Sequence, residues 1–298
     1  ERTAAINLPE GKNLRVRKGS AGEFTTFDVI HKMPEILEDG TNAEFPSNHI
    51  ALGQDIDLSY TKTLNNPKFA GWKDKTSYYN QNANFWGLGH KVKNLYINAT
   101  EVPSSYVGFL TNTYASIRDI GVEGEISSNT AVGGLAGRVS NNNYNYIKNS
   151  YTNINIISSS TAAGLISHVS GNETNKTEVS NVYSIGNITV NNNNVGNIGG
   201  VFGFVYDAVI KDSYGKNKIT VSNNDYTDSY IGGFIASSEN STISNSYFNG
   251  DISFSSGVAQ GIGGLIGESR DNTILNSYSN GHLLVSGRSG SLYEGVGG

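Results

Sequence analysis

From residue 108 onward one pattern keeps returning: a Gly-Gly or Ala-Gly pair, two apolar residues, an interval, and a run ending in tyrosine. The cleanest copy is Gly263-Gly264-Leu265-Ile266 … Ile274-Leu275-Asn276-Ser277-Tyr278, preceded by Gly232-Gly233-Phe234-Ile235 … Ile243-Ser244-Asn245-Ser246-Tyr247. Earlier copies open at Gly199, Ala163 and Gly133, and a degenerate one runs from Val107-Gly108-Phe109-Leu110 to Asp119-Ile120-Gly121. With the second glycine as marker, successive copies lie 26, 30, 36, 33 and 31 residues apart. In the last three copies the tyrosine follows the marker by a constant 14 residues, so the length varies in the loop after the last strand. A unit of this size cannot bury its apolar face alone and must bury it on its neighbours.

Within a unit, apolar residues alternate in short runs, as at Ile252 and Phe254, Leu283 and Val285, or Ile188 and Val190, which is the period of a half-buried strand. A four-stranded propeller blade needs about 40–45 residues, so one coil of a parallel β-helix fits better. Coils stacked about 4.8 Å apart set like residues over like. Recurring asparagines and tyrosines then form ladders, and the glycines mark corners too tight for a side chain. Tyr151, Tyr183, Tyr214, Tyr247 and Tyr278 are assigned to packing, since stripes at structural spacing make core. The glycine pairs lack the Lys-Ser/Thr and the following helix that a phosphate loop requires.

At 298 residues the chain has room for two ordinary domains, but the repeats argue for one elongated solenoid. We divide it into N-terminal coils over residues 1–105 and repeat coils over 106–298. Its hydrophobic content of 37% suits a thin core with long polar loops. A net charge of −5 argues against nucleic acid and against a polybasic membrane contact. No cysteine is present, so neither disulfides nor thiolate metal sites are available. No apolar run reaches the length of a membrane-spanning helix, and no signal peptide opens the sequence. The chain begins at Glu1 and stops at Gly297-Gly298, the dipeptide that opens a unit, which reads as a fragment of a longer protein.

Ahead of the repeats, Lys12, Arg15, Arg17 and Lys18 read as the solvated side of a strand. Phe27, Ile30, Met33, Ile36 and Leu37 have helix-like spacing, so a short helical insertion is expected over about 26–38, shortened by Pro34. His49 to Ser59 resumes strand character.

The series His49-Ile50-Ala51-Leu52-Gly53-Gln54-Asp55-Ile56-Asp57 … Phe85-Trp86-Gly87-Leu88-Gly89-His90 … Tyr106-Val107-Gly108-Phe109-Leu110 … Ile117-Arg118-Asp119-Ile120-Gly121 resembles filamentous-haemagglutinin-like exoproteins of two-partner secretion systems. These carry GLUG repeats, which also occur in non-catalytic regions of streptococcal immunoglobulin A proteases. The resemblance covers about residues 25–298. It implies an all-β, right-handed parallel β-helix with extra-helical loops, and export through an outer-membrane transporter partner. It also implies a secreted or cell-surface location and frequent roles as adhesins, some relatives being haemophore-like or contact-dependent toxins. It supplies no catalytic residue and no cofactor. One departure stands out: Trp86 occupies the position where relatives usually have aspartate.

Both tryptophans fall in or beside a segment at 62–86 that also holds Lys62, Lys68, Lys73, Lys75, Tyr78 and Tyr79. Aromatic faces beside long donors suit sugar stacking or a protein hot spot, so Trp72, Tyr78, Tyr79 and Trp86 are candidate ligand-binding residues; the alternative is a loop packed down on the coil. Inter-coil loops are the other candidate surface, with Tyr226 and Tyr230 in the longest. Asp225 and Asp228 lack the repeat of calcium-binding β-rolls, and the five histidines have no metal-ligand spacing, so no metal site is assigned. Asp55 and Asp57 share a strand face but are explained by turn capping. Sequons at Asn98, Asn172, Asn175, Asn187 and Asn240 are candidate glycosylation sites, against chance in an Asn-rich chain.

The expectation is therefore a non-enzymatic adhesin fragment whose loops bind host glycans or glycoproteins. A passive spacer of a larger exoprotein and a polysaccharide-degrading β-helix are the alternatives. Aromatics and polar groups along one face favour the first, loops packed flat the second, and carboxylates converging in a groove the third.

Overall fold

Asparagine and aspartate tolerate left-handed backbone better than other side-chain-bearing residues, and the repeat places them where the chain must turn. Asp119, Asn149, Asn181, Asp212, Asn245 and Asn276 take φ values between 48° and 56°. Their side chains join the turns of successive coils: Asn149 Nδ2 donates to Asp119 (2.9 Å), Asn181 to Asn149 (2.9 Å), Asn245 to Asp212 (3.1 Å) and Asn276 to Asn245 (3.3 Å). The serine that follows serves the same corner. Ser213 Oγ donates to Lys211 O within its own coil (2.8 Å) and accepts the Val182 N–H of the coil before it (3.3 Å), and Ser246 repeats the arrangement on Ser213. The recurring Asn/Asp-Ser-Tyr run is thus a turn, a clamp and a stacking residue in order.

The computed structural model describes residues 4–19, 22–40, 45–75, 83–102, 104–140, 144–192, 196–224, 228–286 and 295–297, with backbone alone at 224, 256 and 295–297. The described residues form a parallel β-solenoid of about seven turns with three sheets and one short helix. A narrow seven-stranded sheet carries the glycine pairs, from Tyr106–Val107 to Gly295–Gly297. A middle six-stranded sheet runs from Leu110–Thr113 to Ile266–Arg270, and a broad sheet holds long strands such as Tyr146–Ser158 and Thr177–Asn191. Like residues stack on like: Ile117, Ile147, Val179, Ile210, Ile243 and Ile274 are successive register partners, as are Ile126, Ile156, Ile188, Ile219, Ile252 and Leu283. Both rows face the core, which is one continuous cluster along the axis, except that Ile274 in the last coil is exposed.

The corner glycines are required by close approach. A Cβ on Gly233 would lie 2.0 Å from Gly264 O and 2.2 Å from the Phe248 ring, and one on Gly200 would lie 2.0 Å from Gly233 O.

At the N-terminal end, Asn13–Lys18 pairs antiparallel with Glu23–Ile30 and covers the first edge of the broad sheet, which would otherwise be an open template for pairing. Arg15, Arg17 and Lys18 are exposed while Leu14 and Val16 turn toward a small apolar cluster around Phe27, Val29 and Ala51. This end corrects the helix expected over 26–38. Residues 23–30 are a strand in which Phe27 and Val29 are buried on one side, and Pro34 prevents any helix beyond. The spacing that imitated a helix joins this strand to Met33 and Ile36, which reach the core from irregular chain. The helix of the described residues is Tyr60–Leu64, ended by Asn65 in left-handed conformation.

The tyrosine row forms the expected ladder, but not in the core. Tyr151, Tyr183, Tyr214, Tyr247 and Tyr278 stack ring on ring along the outside of the broad sheet, with centroids 4.9, 4.9, 5.1 and 5.4 Å apart and planes within 9° of parallel. They are half-buried, except Tyr278 at 54% exposure. The degenerate copy closes the stack: Gly121 is the register partner of Tyr151, whose ring lies where a Gly121 Cβ would be.

Candidate functional site

Counting four residues on from each marker glycine picks out Asn112, Arg138, His168, Phe204, Ser237 and Glu268. They are successive register partners on the middle sheet, and all are half-buried except Ser237, which is buried. The narrow sheet adds Tyr106 at one end and Tyr230 at the other. Tyr106 meets the His168 ring edge-on (centroids 5.2 Å, 77°), and His168 is tilted 45° against Phe204 (6.0 Å). The rings therefore form a strip along the solenoid without stacking face to face. That distinguishes them from the tyrosine ladder, where each ring face is used by the next coil and only edges and hydroxyls face outward. The Tyr106 face carries the Arg138 guanidinium, and the Phe204 ring meets no other ring face to face.

The two ends of the strip differ electrostatically. Glu268 accepts from Ser237 Oγ (2.7 Å) and Arg270 (2.8 Å), and Arg270 also reaches Glu239 (3.4 Å). Tyr230 is hydrogen-bonded to Glu268 too, and burial followed by that carboxylate pushes its hydroxyl up to about 12. At the other end Arg138 sits over Tyr106, its carbon Cζ 5.5 Å from the ring centroid. Burial first, and then the Arg138 charge, lower the His168 imidazole to about 4, so it is neutral at neutral pH.

The residues expected to bind ligand are dispersed. Trp72 belongs to the core: it is 0% exposed, wedged between Phe69 (4.9 Å) and Phe109 (5.7 Å), with Nε1 donating to Pro34 O (2.9 Å). Its backbone bridges to Leu110, so residues 69–72 supply a partial turn ahead of the first regular one and the indole fills that turn's interior. Trp86 is half-buried outside the broad sheet, 4.3 Å from Phe27 and under the Arg118 guanidinium (5.0 Å), and it packs against the N-terminal cluster. Tyr78, Tyr79 and Tyr226 lie outside the described residues. Tyr230 does lie on the strip.

Among the sequons, Asn187 is exposed on the broad sheet, whereas Asn98 donates to Asn65 (3.2 Å) and the Asn172 side chain caps its own loop at Thr174 and Asn175. Asn175 is half-buried in that loop, and Asn240, at φ 51°, takes the Lys176 ammonium on its carbonyl (2.6 Å). Asp57 accepts from Ser59 N (2.9 Å) and Asn94 (3.1 Å), a turn cap. A shallow cleft of about 310 Å³ lies beside the short helix, lined by Ser59, Lys62, Asn94, Tyr96, Glu125 and Asn155. Lys62 there lies 4.0 Å from Glu125 and 5.6 Å from the Tyr96 ring.

A family model of the GLUG motif matches residues 227–253. The match takes in one turn of the solenoid, from Tyr230–Gly232 through Tyr247–Phe248. No curated protein matches the chain. The motif and the parallel solenoid together fit a β-helical exoprotein scaffold.

Proposed function

We propose that this chain is part of a secreted or surface-exposed bacterial adhesin that binds host glycans or glycoproteins without chemistry. The observation that carries the reading is the strip on the middle sheet. Stacking turns one half-buried position per coil into a row of aromatic and hydrogen-bonding side chains on rigid strands, which suits recognition of an extended saccharide. The exoprotein resemblance supplies the setting, including export through a two-partner transporter that engages another region.

The test is a glycan and host-matrix array probed with the protein and with a Phe204→Ser, Tyr230→Ser variant whose circular dichroism is unchanged. Specific binding that falls at least tenfold in the variant supports the strip. Undiminished binding moves the site to the cleft at the short helix or to the inter-coil loops. Binding to no member leaves the spacer reading, which the tyrosine ladder favours because its ring faces are spent inside the protein.

A further inference from the structure

Arg138 differs from three other half-buried cations of the solenoid, which are ion-paired. Lys91 pairs with Glu123 (3.0 Å), Lys148 with Glu178 (3.1 Å) and Arg118 with Asp119 (2.5 Å). Among the described residues no carboxylate lies within ion-pair distance of Arg138. Among the described residues its one side-chain hydrogen bond is a long contact from Nη1 to Tyr106 Oη (3.4 Å), and its Nε is buried with no acceptor. On the adjoining strand its register partner Asn112 has a buried Oδ1 with no donor. A guanidinium with no carboxylate partner, its orphaned Nε–H and an orphaned carbonyl on the adjoining strand thus lie at one end of an aromatic strip. Groups left in this condition are ones that a ligand can satisfy.

We propose that Arg138 and Asn112 form a subsite for an acidic sugar, the guanidinium taking its carboxylate or sulfate and Asn112 Oδ1 accepting a hydroxyl or amide N–H from the same residue. Arginine suits this role because its planar fork matches a carboxylate or sulfate with two parallel hydrogen bonds. Phe204, two strands on and so about 10 Å away, offers its ring to a neighbouring sugar. The acidic end of the strip, at Glu268, is four strands and about 19 Å from Arg138, beyond the screening length of about 8 Å at physiological salt. The direction of the ligand along the strip is fixed accordingly, with its anionic residue at the Arg138 end. With a net charge of −5 the chain has no general attraction for anions, so acidic selectivity must be local.

The inference rests on the reading of the strip as a saccharide surface, and one experiment separates the two. The full chain is applied to an array of sialylated, uronic-acid and sulfated oligosaccharides, each beside its desialylated, esterified or desulfated parent. Arg138→Gln and Arg138→Lys follow, with circular dichroism as the check on folding. The expected result is at least tenfold preference for acidic members, abolished by Arg138→Gln. Arg138→Lys keeps the charge but loses the fork, and should retain part of the preference. Which acidic class binds distinguishes carboxylate from sulfate. Equal binding of acidic and neutral members, or a preference that survives Arg138→Gln, overturns the acidic subsite and leaves the saccharide reading standing. Binding to no member overturns both.

Discussion

Acidification should weaken this fold through His168 in particular. Its ring is packed between Tyr106 and Phe204 with Arg138 in register beside it, and burial followed by that charge lowers its pKa from 6.5 to about 4. In the unfolded chain a histidine titrates near 6.5. The unfolded state therefore binds the proton more tightly, so the contribution of neutral His168 is complete above about pH 6.5 and is lost as pH falls through about 4. A shift of roughly 2.5 units at about 1.4 kcal/mol each sets a ceiling of about 3.5 kcal/mol, and residual solvent contact brings the working figure to about 2 kcal/mol. Urea unfolding of the protein and of His168→Gln, from about pH 7 to about pH 4.5, isolates this effect because both chains share every other titrating group. The variant should gain on the parent by about 2 kcal/mol over that interval. Parallel stability curves, or a His168 ring proton that titrates near 6.5 by NMR, would refute the reasoning.

Other substitutions test the packing. Tyr214→Ala removes the middle rung of the tyrosine ladder and two stacking contacts, at about 1–3 kcal/mol, while Tyr214→Phe should be nearly neutral in thermal unfolding. Gly233→Ala puts a methyl group against Gly264 O and the Phe248 ring and should cost about 2 kcal/mol or more, measured by denaturant midpoint. Trp72→Ala empties the interior of the partial turn and should cost about 3–5 kcal/mol while leaving ligand binding unchanged once folding is corrected for.

The architecture was legible because the residues that build it repeat as the same letters. Glycine at the corner, Asn/Asp at the left-handed turn and tyrosine at the ladder are each demanded by backbone geometry or by contact with a copy of themselves. The candidate site repeats in position instead. Asn112, Arg138, His168, Phe204, Ser237 and Glu268 share no chemistry, and only counting from the marker glycine aligns them. Placing the tyrosines in the core overlooked that a ladder can stack on an outer face. For Trp72 the alternative of a segment packed down on the coil holds; the sequence does not decide for it because the burial depends on the chain making a turn beside Leu110, which no local pattern announces. The 26–38 region misled because a strand joined to two core anchors imitates helical spacing.

All of this depends on residues some thirty positions apart becoming neighbours in one register. The chain has no cysteine, so nitroxide labels at Ser127→Cys and Ser253→Cys report a single distance in a clean background. These positions are linked through Ile157, Thr189 and Thr220, four strand spacings in all, so their backbones should lie about 19 Å apart. A narrow distance distribution near that value, widened only by the label arms, is the expected result. A broad distribution, or one centred beyond about 30 Å, would contradict the stacked register and with it the strip.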